Sequence, residues 1–128
     1  MKSLEILEKL GISYIFITTP EKAGAYLDEF NLIYLSDNLN ESELENFVLH
    51  ETWHAMSKDF LTKLSSSQLK MIQEAKANQY MIHKRCEAYL SAYDNKPDYI
   101  DIESFLNYFE LDINFYDLAE REFKQLLA

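Results

Sequence analysis

Two histidines stand four residues apart in the stretch NFVLHETWHAM, residues 46–56, and a glutamate directly follows the first. On a helix, residues four apart differ by about 40° around the axis, so His50 and His54 would project from one face. Two imidazoles one turn apart can share a tetrahedral zinc ion. Glu51 would lie too far round to be a natural third ligand, but close enough to accept a proton from water on the metal. The pattern therefore predicts a zinc-dependent hydrolase with Glu51 as general base.

A catalytic zinc needs a third protein ligand and an open position for water. Glu74 opens EAKANQYM on a later predicted helix, and it is favoured because that helix can fold back antiparallel to the first. Asn78, one turn further on, could accept an N–H from a liganding histidine and fix its tautomer. His83 would lie about 180° from Glu74 on a continuous helix, so only one of them can face the metal. Asp59 and Glu87 are competing carboxylates.

The plainer interpretation is that a chance His-Glu-x-x-His lies on an ordinary amphipathic helix, with surface histidines and a solvated glutamate. Trp53, inside the pattern, is more typical of a packing residue than of a catalytic one. Tyr80 and Tyr93 have the chemistry to stabilise an oxyanion, but both are more typical of a core or a surface. No oxyanion donor can be assigned from the residues alone.

The first third of the chain predicts one short helix and a small sheet. Residues 2–9, KSLEILEK, place apolar residues among charges and are followed by Gly11, which suits a helix with a glycine stop. Runs rich in Ile, Tyr and Phe follow, and Asn31 separates two of them as a hairpin turn would. We predict three antiparallel strands, at residues 12–18, 24–29 and 32–36.

The remainder of the chain predicts helices only. Asn40 and Glu43 have the spacing of a capping box, which would start a helix over residues 41–57 that carries the histidines. Four further helix boundaries are indicated: a start capped by Ser66 or Ser67, an end near Tyr93, and starts capped by Asp101 and Asp112. The fold class expected is α+β, as a single domain over residues 1–128 with a mostly helical C-terminal part.

Composition narrows the classes of function. The net charge of −10 repels phosphate backbones, so direct nucleic-acid binding is not expected. Cys86 is the only cysteine, which excludes an intramolecular disulfide and suits a reducing compartment. Glu5, Glu8 and Lys9 interrupt the apolar run that a signal peptide needs, and nowhere do about 18 apolar residues follow one another. We expect a cytoplasmic protein without a membrane span.

The chain resembles the ImmA/IrrE family of metallopeptidases from phages and mobile elements in two stretches, FVLHETWHA and, further along, EAKANQYM. Members pair an H-E-x-x-H helix with a second helix that carries Glu-x-x-Ala-Asn. LIYLSDNLNESELENFVLHE also resembles the family's strand, loop and active-site helix, and DIESFLNYFELDINFYDLAEREFK resembles the last helices of its short phage forms. The resemblance covers residues 12–127 and is strongest over residues 32–56 and 74–81.

The resemblance implies a zincin-like metallopeptidase domain in which His50, His54 and Glu74 bind zinc. It also implies Glu51 as general base, and Asn78 matches the asparagine of the second motif. Two features depart from the family: Thr52-Trp53 replaces a Leu-Gly-like pair, and HKRC replaces the Leu-Leu-Met-Pro-like run of longer members. Both departures concern the substrate groove rather than the metal.

The function that follows from the motif and the resemblance is a zinc endopeptidase. The resemblance implies that its substrate is a helix-turn-helix repressor encoded beside it, whose cleavage or inactivation would derepress a mobile element. An exposed edge strand, such as AYLDEF, could pair with an extended substrate. The alternative is a protein-binding module without hydrolysis, either an antirepressor or an antitoxin-like partner, that retains the metal site.

Overall fold

The computed structural model describes the backbone of residues 2–61, 67–94 and 96–128, and the side chains of residues 4–57, 69–94 and 96–128. Within these ranges it contains five α-helices and a three-stranded sheet, so the predicted α+β class is confirmed. The elements are α1 (Lys2–Lys9), β1 (Ser13–Ile17), β2 (Gly24–Leu27), β3 (Leu32–Ser36), α2 (Glu41–Leu61), α3 (Ser67–Leu90), α4 (Ile102–Tyr108) and α5 (Tyr116–Leu127).

The chain divides into two compact units, Met1–Asn78 and Gln79–Ala128, and the boundary falls inside α3. The first unit contains α1, the sheet, α2 and the part of α3 that carries Glu74. The second unit contains the rest of α3 together with α4 and α5. The single domain expected over residues 1–128 stays a prediction.

Local side-chain contacts set the ends of several helices, as the sequence predicted. α1 stops where Gly11 adopts a φ of 73°, a left-handed conformation that glycine reaches without steric cost. α2 begins with a reciprocal capping box: the Glu43 N–H donates to Asn40 Oδ1 at 2.9 Å, and the Asn40 N–H donates to Glu43 Oε1 at 3.1 Å. Asp101 caps α4 by accepting a hydrogen bond from the Ser104 N–H at 3.2 Å.

The last predicted cap acts on a different element. Asp112 caps a 3-10 turn, Ile113–Phe115, by accepting from the Asn114 N–H at 2.8 Å, and α5 begins only after that turn. The Asp112 carboxylate still satisfies a free N–H at the start of a helical segment, but the first turn of that segment is a 3-10 turn, which is wound more tightly than an α-helix. The side chains of Ser66 and Ser67, predicted to cap α3, lie outside the described residues.

The sheet is mixed, so the prediction of a purely antiparallel sheet is wrong. β3 lies in the centre, antiparallel to β2 and parallel to β1. β2 ends at Leu27, earlier than predicted, and a 3-10 turn, Asp28–Phe30, leads to β3; Asn31 ends this turn with a φ of 48° and also holds the start of β1. The Ser13 N–H donates to the Asn31 carbonyl at 3.1 Å, and the Asn31 side-chain amide donates to the Gly11 carbonyl at 3.0 Å. β1 and β3 therefore start at the same end of the sheet and run in parallel.

The core of the first unit lies between one face of the sheet and the helices α1 and α2. Its fully or nearly buried members are Leu7, Ile12, Ile33, Leu35, Leu44, Val48 and Ala55. Val48 and Ala55 fix which side of α2 faces this core, whereas His50 and His54 stay half-buried. Packing of α2 therefore leaves both imidazoles accessible to other groups.

The second unit is held together by edge-to-face aromatic contacts between its helices. The ring of Phe105 lies 4.9 Å from that of Phe123 and 5.4 Å from that of Tyr89. Cys86, buried in this unit, forms no disulfide. Over the described residues, no helix combines the length and the apolar character that crossing a bilayer requires.

Candidate metal centre

α2 presents the two histidines as the sequence predicted. His50 and His54 lie one turn apart, their ring centroids are 5.1 Å apart, and each side chain is 18% exposed. Thr52, between them in sequence, is buried, and its hydroxyl donates to the Val48 carbonyl at 2.6 Å. Because that hydroxyl is satisfied inside its own helix, it does not compete for the imidazoles.

Glu74 on α3 reaches both imidazoles. Its Oε2 atom lies 2.9 Å from His50 Nε2, and its Oε1 atom lies 2.9 Å from His54 Nε2. Half of the Glu74 side chain is exposed, at 50%, so solvent reaches the group from this side. The structure therefore brings together the three residues that were predicted as metal ligands, and one ligand atom from each lies within 4.8 Å of the others.

The contact between His54 and Glu74 has the distance of an ion pair but not the geometry of a hydrogen bond. His54 Nε2 is buried and has no hydrogen-bond partner, although a carboxylate oxygen of Glu74 lies only 2.9 Å away. Two donors on a tetrahedral zinc with bonds of 2.0–2.1 Å lie about 3.3 Å apart, so a small opening would admit the ion. Two nitrogens and one oxygen fit zinc, and three protein ligands leave a fourth position for water.

The environment of His54 favours the neutral imidazole that can bind a metal. Burial lowers the pKa of His54; the charge of Glu74 acts in the opposite direction, and neighbouring His50 lowers the pKa further. A neutral ring presents a lone pair, which a protonated ring lacks. His54 therefore keeps its neutral, metal-binding form to a lower pH than an ordinary histidine does.

Glu51 is the most perturbed carboxyl group near the site. Its side chain is buried, at 8% exposure, and its Oε2 atom has no hydrogen-bond partner. Burial, followed by the nearby charge of Glu74, raises the pKa of Glu51 to about 7, while a hydrogen bond from the Tyr26 backbone acts in the opposite direction. A carboxyl group with such a pKa can both take up and release a proton near neutral pH.

No protein-family model matches this chain, and no curated protein does. The function must therefore be inferred from the site itself.

Several predicted residues lie away from the three ligands or have other contacts. Asn78 is half-buried one turn after Glu74, and no hydrogen bond joins it to either imidazole within the described ranges, so its positioning role stays a prediction. His83 belongs to the second unit, where its Nδ1 atom lies 2.9 Å from the buried Glu122 and its Nε2 atom lies 3.7 Å from Glu87. The Asp59 side chain lies outside the described residues.

The aromatic residues Trp53, Tyr80 and Tyr93 occupy three different environments. Trp53 packs edge-on against His54 with ring centroids 5.6 Å apart, so it borders the site. The Lys84 ammonium lies 5.7 Å from the ring centroid of Tyr80. Tyr93 packs beside Tyr89 in the second unit. None of these contacts assigns an oxyanion donor.

Two groups on β2 contribute to the site and were not predicted. A Cβ atom at Gly24 would lie 3.0 Å from Phe47 Cδ1 and 3.2 Å from Leu35 Cδ2, so the missing side chain lets β2 lie close to α2. An isolated glycine in a strand is a signal of close approach, and it could have been used. The effect of Tyr26 on the pKa of Glu51 comes from its main chain, which leaves no signature in the sequence.

Proposed function

We propose that this chain is a zinc-dependent endopeptidase with a zincin-like fold that acts in the cytoplasm. The observation that carries the proposal is the single carboxylate of Glu74 set between the Nε2 atoms of His50 and His54. The motif-based resemblance to the ImmA/IrrE family supports the same assignment. Peptide hydrolysis is favoured over other zinc chemistry because a buried glutamate directly follows the first histidine.

In this proposal His50, His54 and Glu74 hold the zinc ion, and Glu51 moves the proton. Zinc at this position would supply Lewis-acid chemistry, which polarises a carbonyl and acidifies water. Glu51 takes a proton through Oε2 from the water that attacks the carbonyl carbon. The same carboxyl group then delivers the proton to the leaving amine nitrogen as the carbon–nitrogen bond breaks.

The substrate we propose is an extended protein segment, and the favoured protein is the helix-turn-helix repressor that the resemblance implies. β2 is an edge strand, so its outer side can pair with an extended chain. The protein carries a net charge of −10, which complements a basic DNA-binding partner and opposes direct contact with nucleic acid.

The test compares zinc content and cleavage in three proteins: wild type, Glu51→Gln and Glu41→Gln. Glu41 is exposed on the first turn of the same helix, so its variant controls for loss of a carboxylate. The substrates tested are the helix-turn-helix repressor that the resemblance implies and a mixed-sequence peptide library read by mass spectrometry. We expect about one zinc ion per chain in all three, and loss of cleavage by about 10²–10⁴-fold only in Glu51→Gln. Cleavage by Glu51→Gln at the wild-type rate would refute the mechanism.

A second candidate function is a protein-binding module that acts as an antirepressor or antitoxin-like partner without hydrolysis. The observation in its favour is that Glu74 already links both imidazoles through its two oxygens, which suits a structural link between α2 and α3. This function predicts that His50→Ala loses repressor binding while the wild-type protein never cleaves the repressor. Cleavage that depends on Glu51 would exclude it.

A further inference from the structure

We propose that His83 and Glu87, on the second half of α3, form a further binding site for a divalent transition-metal cation such as zinc, and that Glu122 of α5 orients His83 for it. All three residues belong to the unit Gln79–Ala128, and none of them is among the three predicted ligands His50, His54 and Glu74. The inference therefore does not rest on the proposed function.

Glu122 holds His83 from one side of the ring. Its side chain is buried, at 3% exposure, and both of its oxygens have partners on α3. The Gln79 side-chain amide donates to Oε1 at 3.1 Å, and Oε2 lies 2.9 Å from His83 Nδ1. A carboxylate oxygen can only accept, so Nδ1 carries the proton and Nε2 of the neutral ring carries the lone pair. A carboxylate on one ring nitrogen is the arrangement that orients metal-binding histidines.

The other ring nitrogen of His83 faces Glu87, one turn further along α3. His83 Nε2 lies 3.7 Å from Glu87 Oε1, which is too long for a hydrogen bond. A lone pair and a negative oxygen that face each other repel, and a cation between them would reverse this. Two donors on a tetrahedral zinc lie about 3.3 Å apart, and both side chains are exposed enough to rotate by that difference.

The donor set suits a cation that accepts both nitrogen and oxygen ligands. An imidazole and a carboxylate fit zinc, copper or nickel better than calcium or magnesium, which prefer oxygen ligands alone. Cys86, the residue before Glu87, is not a third ligand, because its side chain is fully buried. Burial, followed by the charges of Glu122 and Glu87, also raises the pKa of the Cys86 thiol to about 12, so little thiolate forms near neutral pH. Water would complete the coordination.

Lys84 is the competitor for this site. Its ammonium lies 3.5 Å from the same Oε1 atom of Glu87 and 5.7 Å from the ring centroid of Tyr80. Exposed ion pairs of this kind contribute little free energy, so a doubly charged cation can displace the ammonium. Two protein ligands bind more weakly than three, so zinc should fill the centre on α2 at concentrations that leave the His83–Glu87 site empty.

The first test follows the imidazole nitrogens of the full chain by NMR during a zinc titration near neutral pH. The protein contains three histidines, so each ring can be assigned. In the zinc-free protein we expect His83 to be protonated at Nδ1. Zinc up to about a tenfold molar excess should then shift its Nε2 resonance along a saturable curve. A His83 ring protonated only at Nε2, or one that does not respond to zinc, would overturn the proposal.

The second test compares the zinc affinity reported by His83 in four proteins: wild type, Glu87→Gln, Lys84→Gln and Glu103→Gln. His83→Ala is avoided because it would leave the buried Glu122 without its contact to Nδ1. Glu103 is exposed on α4 of the same unit, so its variant controls for the loss of one negative charge.

We expect Glu87→Gln to weaken zinc binding at His83 by at least about tenfold, since a ligand should matter no less than the groups that orient it. Lys84→Gln should tighten binding by about two- to fivefold, because Glu87 is released from the ammonium. Glu103→Gln should match wild type. Equal affinity in wild type and Glu87→Gln would show that His83 binds zinc without Glu87 and would overturn the proposed site.

Discussion

At the scale of single residues, burial moves the pKa values of His54 and Glu51 in opposite directions. Burial lowers the pKa of His54, which favours the neutral imidazole, and raises the pKa of Glu51, which favours the protonated carboxyl group. Glu74 is half exposed and contacts both imidazoles. A zinc ion would offset the repulsion between the two carboxylates, because each would lie close to a positive charge.

The pKa of Glu51 makes the stability of the zinc-free protein depend on pH. The folded-state pKa of about 7 lies above the ordinary value of 4.5, so the burial cost is absent at low pH and grows as pH rises from about 4.5 to about 7. Glu51→Gln removes this cost. We therefore expect the unfolding free energy of Glu51→Gln, relative to wild type, to increase over this window by roughly 1–3 kcal/mol.

Urea denaturation with a chelator at a series of pH values measures this difference. Subtracting the wild-type values cancels the opposite trend from His54, whose lowered pKa makes the fold gain stability as pH rises towards its ordinary value. The exposed Glu41→Gln variant should give a difference that does not change with pH. A flat difference for Glu51→Gln would contradict the assigned burial cost.

At the scale of elements, β2 approaches closely to α2, the helix that carries both histidines. It depends on Gly24, whose missing Cβ leaves room for Phe47 and Leu35. α2 carries both histidines and Glu51, so any displacement of β2 from α2 would also change the surroundings of these side chains. The packing of one strand is therefore linked to the chemistry of one helix.

Gly24→Ala should destabilise the protein by about 1–3 kcal/mol, because an added methyl group overpacks this contact. Thermal or urea unfolding gives the value. Phe47→Leu shortens the nearest side chain, so the double variant Gly24→Ala/Phe47→Leu should lose less stability than the sum of the single variants. Additive effects would mean that Phe47 is not what Gly24 accommodates.

The elements also show what the sequence predicts and what it cannot. Asn40, Glu43 and Asp101 cap helices as predicted, because capping depends on groups only two or three residues apart. The parallel pairing of β1 was missed, since it depends on Asn31 holding the distant Gly11 carbonyl. Periodicity marks a strand but does not identify its neighbour.

The same difference between local and distant contacts applies to the candidate site. The convergence of His50 and His54 follows from helix geometry, and the choice of Glu74 followed from helical angles, so both could be predicted. The contact of Glu51 with Tyr26 required the position of an edge strand that the residue types do not specify. Of the acidic alternatives, Glu87 could be ranked only by its helical angle and Asp59 only by its closeness to His54 in the sequence, and both criteria are weaker than a measured distance.

At the scale of the whole molecule, the helix that completes the site also belongs to both compact units. α3 carries Glu74 in the unit Met1–Asn78 and continues as part of Gln79–Ala128. A ligand that binds only the folded site stabilises the unit that contains it. Zinc should therefore have a thermal effect that can be measured without any substrate.

Zinc at a hundredfold excess over its dissociation constant should stabilise the folded site by about 2.7 kcal/mol. For a protein of this size that corresponds to a rise in melting temperature of roughly 8–12 °C over chelated protein, measured by circular dichroism. Glu74→Gln should lose most of this rise, because an amide is a poor zinc ligand. Glu87→Gln, an exposed carboxylate of the second unit, is the control and should keep it. An equal rise in Glu74→Gln would place the metal elsewhere.

The main-chain effect of Tyr26 on the pKa of Glu51 has a consequence for how sequences of this kind are compared. A peptide N–H is supplied by every amino acid except proline, so this effect depends on the path of the chain at position 26 rather than on the identity of its residue. Homologous chains could carry widely different side chains there while keeping the interaction. Methods that rank positions by residue invariance would overlook it, and only the exclusion of one amino acid would mark the position.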